Sequence, residues 1–200
     1  MGQLGSVSAA PRRQEAVIGA VFKGPDQEPG RIMRWHVLGG ICLLHGFRKG
    51  VELGVSQGRF TMFLCAIMHD MQMMAVDRWE EQPDHKTEGW VGWDHEGSYQ
   101  RFKNSCDQYF PGRVHIHRMD SADSAALVED GSVDFVFIDG DHSYEGCLRD
   151  IDAWLPKVRK GGLICGHDYN NKWPGVLQAV AARFEKIAVA QDSVWMHFVK

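Results

Sequence analysis

Three ionisable side chains crowd the end of one apolar run: Asp134-Phe-Val-Phe-Ile-Asp139-Gly140-Asp141-His142 closes on Asp139, Asp141 and His142. A second run, Gly162 to Gly166, ends in His167-Asp168-Tyr169. If the two runs are adjacent parallel strands, their tips bring Asp139 beside His167 and Asp168. Hard carboxylate oxygens together with an imidazole suit Mg²⁺, Mn²⁺ or a similar divalent cation. Such a cation would hold a hydroxyl of a bound molecule, lower its pKa and orient it for attack. His142, or failing that Asp141, is placed to take the proton. A hydrogen-bonded loop network without any metal accounts for the same residue types, and local sequence leaves both readings open.

A second constellation lies earlier in the chain. Val51-Glu52-Leu53-Gly54-Val55-Ser56-Gln57-Gly58 ends a strand and opens a helix. Glycines there allow tight turning and close approach of a ligand beside a helix N-terminus. The spacing is not the dinucleotide pattern GxGxxG, because Thr61 stands where the third glycine would be. The next strand ends in Met74-Ala75-Val76-Asp77, and an acid at that tip can accept both ribose hydroxyls of a nucleoside. Trp79 reads either as a lid against a purine or as a hydrophobic plug. Asp120 and Ser121, after the third strand, read either as partners for a base edge or as helix caps.

The elements that must carry these residues alternate. Apolar runs at Gly50–Gly54, Met73–Asp77, Val114–Met119, Asp134–Asp139, Gly162–His167 and Ile187–Ala190 are separated by amphipathic stretches. Helices are expected over about 57–69, 95–109, 121–129, 143–158 and 174–185, with a further, glycine-weakened one within Ile32 to Phe47. In the clearest, Tyr144, Leu148, Ile151 and Leu155 recur every three or four residues, and Ser143 is a good N-cap. Strand–helix alternation means crossover connections and a parallel sheet covered on both faces. Phe135-Val-Phe-Ile138 and Leu163-Ile-Cys165 are continuously apolar, as doubly buried strands are. The closing run Val194 to Val199 follows too soon for a helical crossover, so it should pair antiparallel. Residues 1–30 read as a mobile arm or loosely docked lid, and 31–200 as one domain.

Composition narrows the partners. Two hundred residues with 44% hydrophobic and 24% charged content describe one ordinary globular domain. A net charge of -4 argues against a nucleic-acid partner, which wants a basic face. No run approaches the ~20 apolar residues of a membrane span, and no signal-peptide core opens the chain, so a cytoplasmic protein is expected. The five cysteines are scattered with no CxxC pair, consistent with buried thiols in a reducing compartment. The long polar stretch Glu80 to Gly97, with His85, Trp90, Trp93 and His95, leaves the same sheet edge, and so do Tyr169, Asn170, Asn171 and Trp173; both are candidates for facing a substrate.

VELGVSQGRFT, then AVDRW, then DGSVDFVFIDGDHSYEGCLRDIDAWLPKVRKGGLICGHDY resemble, in order, the class I S-adenosylmethionine-dependent methyltransferases. Within that class the likeness is to small bacterial enzymes with FIDGDHSYE and GHDY signatures, similar to metal-dependent O-methyltransferases of sugars and macrolides. The resemblance covers about residues 48–170. It implies a Rossmann-like, doubly wound α/β fold in three layers, with strand order 3-2-1-4-5-7-6 and the last strand reversed. It implies S-adenosyl-L-methionine as cofactor, with Glu52, Gly54 and Gly58 bordering its methionine part. Asp77 would bind the ribose, with Trp79 beside it, and Asp120 with Ser121 the adenine. Asp139, His167 and Asp168 fall on metal-ligand positions, Asp139 also touching the cofactor, and His142 or Asp141 on the general base. The ion would be Mg²⁺ or another divalent cation, the acceptor a small hydroxylated molecule such as a sugar, and a homo-oligomer is compatible with this reading. The competing classes are a nicotinamide-dependent oxidoreductase, a non-catalytic cofactor-binding module and a metal-dependent hydrolase.

Overall fold

The computed structural model describes residues 31–81 and 92–200. Its strands are β1 (Lys49–Leu53), β2 (Gln72–Asp77), β3 (Val114–Arg118), β4 (Val133–Ile138), β5 (Val158–Gly166), β6 (Ala188–Ala190) and β7 (Val194–Phe198). Its helices are α1 (Arg34–His45), α2 (Arg59–Ile67), α3 (His95–Tyr109), the single turn α4 (Ser121–Ser124), α5 (Tyr144–Trp154) and α6 (Pro174–Arg183). The strands form one sheet in the order β3-β2-β1-β4-β5-β7-β6. The first five run parallel, and β7 lies antiparallel to both β5 and β6. This is the Rossmann-like, doubly wound topology that the family resemblance implied; its parallel strands and reversed last strand agree with the alternation and the short last connection.

Side-chain alternation along the strands splits the core in two. Phe135 and Phe137 of β4 face a cluster with Trp35 and Leu38 of α1, Phe60 and Leu64 of α2, and Phe102 of α3. Val136 and Ile138 face the other way, onto Ile151 and Trp154 of α5 and Val176 and Val180 of α6. Three layers result. The ends of the elements follow local chemistry. Ser143 caps α5 by accepting the Gly146 amide at 3.0 Å, as its position before the periodic run suggested. The helix expected over 121–129 is shorter, because the chain passes after Ser124 into a 3₁₀ turn, Ala125–Leu127. β5 begins at Val158, earlier than its apolar stretch, through an irregular pairing with β4 between Val133 and Phe135. Among the described residues, no helix is long and apolar enough to cross a membrane. All five cysteines are buried and unbridged. The expected arm, 1–30, and His85 and Trp90 of the long polar stretch lie outside the described residues.

Candidate functional site

β1 and β4 pair in register up to Leu53 and Ile138, so the turns that follow them meet. Gly54 has φ +83°, and a Cβ there would sit 2.1 Å from the Asp139 carbonyl oxygen; only glycine lets the two strand tips touch. Gly58 also has a left-handed backbone, but a Cβ there would strike the Phe102 ring. Its role is packing of α2 against α3, and it does not line the cavity described below. Glu52 is buried, and its Oε2 accepts the Thr61 amide at 3.1 Å and the Thr61 hydroxyl at 2.5 Å. Burial pushes the Glu52 carboxyl up to about 8 in spite of those bonds, so a cation beside it is stabilising.

The tip of β2 is tied to the glycine turn. Asp77 accepts the Ser56 amide at 2.8 Å and the Trp79 amide at 2.7 Å, while the Trp79 indole donates to the Ser56 carbonyl at 2.8 Å. Trp79 is 2% exposed and stacks on Phe102. Its bulk therefore serves as a plug, and the residue also lines the cavity. Asp120 caps α4 through the Asp123 amide, and its other oxygen takes Arg78 and Arg149. Those three partners draw it away from the cavity, whereas Ser121 lines it.

The acid and histidine residues do converge. His167 Nδ1 lies 3.3 Å from Asp139 and 3.0 Å from Asp168, and its Nε2 lies 3.6 Å from Asp192. Burial alone would pull this imidazole down, but the three carboxylates outweigh it and hold His167 well above its ordinary value, as an imidazolium. Burial opposes ionisation of Asp168, but its bonds to His142 and His167 hold its carboxyl well below the usual range. Asp168 takes a left-handed backbone, φ +59°, the kind of strained placement that clusters at functional sites. His142 Nε2 lies 2.9 Å from Asp168 and the ring stacks on Trp173 at 4.3 Å. Asp141 is exposed and accepts the Ser143 amide at 2.8 Å at the start of α5. Among the described residues, the donor atoms that gather within 4.8 Å of one another are those of Asp139, His142 and Asp168. Two carboxylates and an imidazole fit a divalent cation. His167 pairs with these carboxylates from the side.

Two contributors were not foreseen. Arg34, at the start of α1, places Nε 3.1 Å from Asp139 and donates its backbone amide to Asp192 at 2.9 Å. Asp192, in the turn between β6 and β7, adds a third carboxylate to the cluster. No local signal marks either, since they are 158 residues apart and meet only through the reversed last strand.

One cavity of about 550 Å³ joins both constellations, running past Glu52, Gly54, Asp77 and Ser121 to Asp139, His142 and Asp168. That size and this mixture of apolar walls and converging polar groups are those of a small-molecule site.

The profile of a family described as "Methyltransferase domain" matches residues 51–169. An uncharacterized protein of Sinorhizobium fredii is 29% identical over 135 residues, which are 64% of this chain but 14% of that protein. The chain thus spans only a small part of that relative's length. Among solved structures, the O-methyltransferase NovP superposes with a TM-score of 0.70 at 15% identity, over 96% of this chain and 98% of NovP. The O-methyltransferase TomG from Streptomyces achromogenes, solved in complex with SAM, gives 0.60 at 13% identity, over 98% of this chain and 92% of TomG.

Proposed function

Since the chain belongs to the methyltransferase-domain family, we propose that it is an S-adenosylmethionine-dependent O-methyltransferase of a small hydroxylated acceptor, assisted by a divalent cation. The observation that carries this reading is the single cavity that links the Asp77 and Ser121 end to the carboxylate and histidine end. SAM in the TomG complex and the O-methyltransferase fold of NovP support it.

Asp77 accepts the ribose hydroxyls; the Ser56 and Trp79 amides already hold its carboxylate in place. Glu52, whose carboxyl burial pushes up, receives the amino group of the methionine part beside the close contact of Gly54 with Asp139. Trp79 and Gly58 shape that end from behind, and the base edge falls to Ser121, with Asp120 serving the local fold. When bound, the donor supplies a methyl group already activated on a sulfonium. Asp139 and Asp168 would hold the cation, which would acidify the acceptor hydroxyl. His167 and Arg34 balance the surplus of negative charge around Asp139, Asp168 and Asp192. His142 takes the acceptor's proton, with Asp168 fixing its tautomer through Nε2. Asp141, committed to the Ser143 amide, is the second choice as base. The remaining work is alignment: Trp173 and His142 stack into one wall against which a flat or ring-shaped acceptor can lie.

Calorimetric titration with S-adenosylhomocysteine, with and without Mg²⁺, tests the reading. Clear binding that Asp77→Ala abolishes is the expected result. Equal binding by the variant would remove the ribose assignment, and no binding by the unaltered protein would remove the cofactor.

A further inference from the structure

Asp150 is a buried carboxylate that the reaction outlined above does not use. It lies on α5 and is 1% exposed. Its Oδ1 accepts the Ser121 hydroxyl at 2.5 Å, while Oδ2 is enclosed without a hydrogen-bond partner, close to Gly140. A native fold rarely keeps a buried carboxylate with an orphan oxygen unless that group has a task. Ser121 is held from its other side too, because its carbonyl accepts the Trp154 indole at 2.8 Å and the Ser124 hydroxyl at 2.6 Å. A serine hydroxyl has one hydrogen and two lone pairs. With the hydrogen committed to Asp150 and the backbone pinned, what Ser121 offers the cavity is an acceptor.

We infer that Asp150 is a positioning residue that fixes the Ser121 hydroxyl as a hydrogen-bond acceptor, so that the cavity selects a purine presenting an amino group over one presenting an oxo group at that edge. This rests on the nucleoside-cofactor reading given above. Asp150 does not itself line the cavity, so it acts only through Ser121. Burial raises its carboxyl to about 7, against the Ser121 bond and the Arg149 charge that lower it and the Asp120 and Asp141 charges that reinforce it. Above neutrality it is ionised and can only accept.

The test compares binding of S-adenosylhomocysteine and S-inosylhomocysteine by calorimetry well above neutrality, in the unaltered protein, Asp150→Ala, Asp150→Leu and Ser121→Ala. An oxo group facing a fixed acceptor leaves both unpaired, so the unaltered protein should prefer the adenosyl compound by ~10-fold or more. In Asp150→Ala the hydroxyl can turn and donate, and in Ser121→Ala it is gone; both should cut the preference to about threefold or less. If Asp150→Ala does not fold, Asp150→Leu decides, since it fills the space of the carboxylate, offers Ser121 no acceptor and so frees the hydroxyl to donate. A purely structural role for Asp150 would weaken both ligands alike and keep the ratio, and that outcome overturns the inference. Equal binding of both compounds by the unaltered protein overturns it as well, leaving the cofactor reading intact. Binding of neither compound refutes the cofactor reading and this inference with it.

Discussion

Replacing Asp150 by asparagine should change the pH dependence of stability in a calculable way. In the unfolded chain this carboxyl ionises near 3.8, and in the fold burial raises it to about 7. Between those values the native state binds a proton that the unfolded state has released, so stability falls as pH rises through the interval. A pKa displaced by one pH unit corresponds to about 1.4 kcal/mol. From pH 5, where the native group is protonated, to pH 8, where it is charged, the loss is therefore about 3 kcal/mol. Asp150→Asn keeps the size of the side chain and an acceptor for Ser121 but cannot ionise. Urea unfolding of both proteins at pH 5 and pH 8 should show the variant gaining about 3 kcal/mol on the unaltered protein at the higher pH. Glu52 contributes a slope of the same sign, since burial pushes its carboxyl up to about 8, but it is common to both proteins and cancels in the difference. A stability difference that stays constant within about 1 kcal/mol between the two pH values would refute the burial argument for Asp150.

Other substitutions probe the rest of the site. Gly54→Ala forces a side chain into a left-handed backbone and against the Asp139 carbonyl, and should cost about 3 kcal/mol or more in urea unfolding while abolishing cofactor binding. Trp79→Phe keeps the plug against Phe102 but loses the indole bond to the Ser56 carbonyl; it should lower stability by about 1 kcal/mol and weaken binding of S-adenosylhomocysteine severalfold. Once an acceptor is identified, His142→Ala should lower kcat by ~100-fold with KM little changed, whereas Asp141→Asn should lower it far less; the reverse order would move the base to Asp141. Removing divalent ions with a chelator should abolish turnover and leave S-adenosylhomocysteine binding nearly intact, and Mg²⁺ should restore it; undiminished turnover would dismiss the cation.

Much of this arrangement is written in local chemistry. A run such as Phe135 to Ile138 is apolar at every position because both of its faces are covered, with Phe135 and Phe137 going to one cluster and Val136 and Ile138 to the other. Its polar end, Asp139 to His142, follows from the chain leaving the sheet at the edge where parallel strands leave their ligand crevice. Helix α3 falls on the span expected for it, and Ser143 showed itself as a cap because its hydroxyl serves an amide only three residues on.

Where a residue type served two purposes, sequence left a choice that packing then made. Trp79 and Gly58 are both explained by Phe102, a residue of α3 that no local pattern connects to either. Asp120 and Ser121 are neighbours in the chain, yet two arginines draw one away from the cavity while the other lines it and gives its hydroxyl hydrogen to a buried carboxylate. Arg34 and Asp192 entered the acid cluster from opposite ends of the chain. Residue types and strand order determined that acids and imidazoles would gather at one sheet edge. Which of them are ion-paired, which can share a cation and which are buried was decided by tertiary structure alone, because pKa and hydrogen-bond direction depend on distances between groups far apart in sequence.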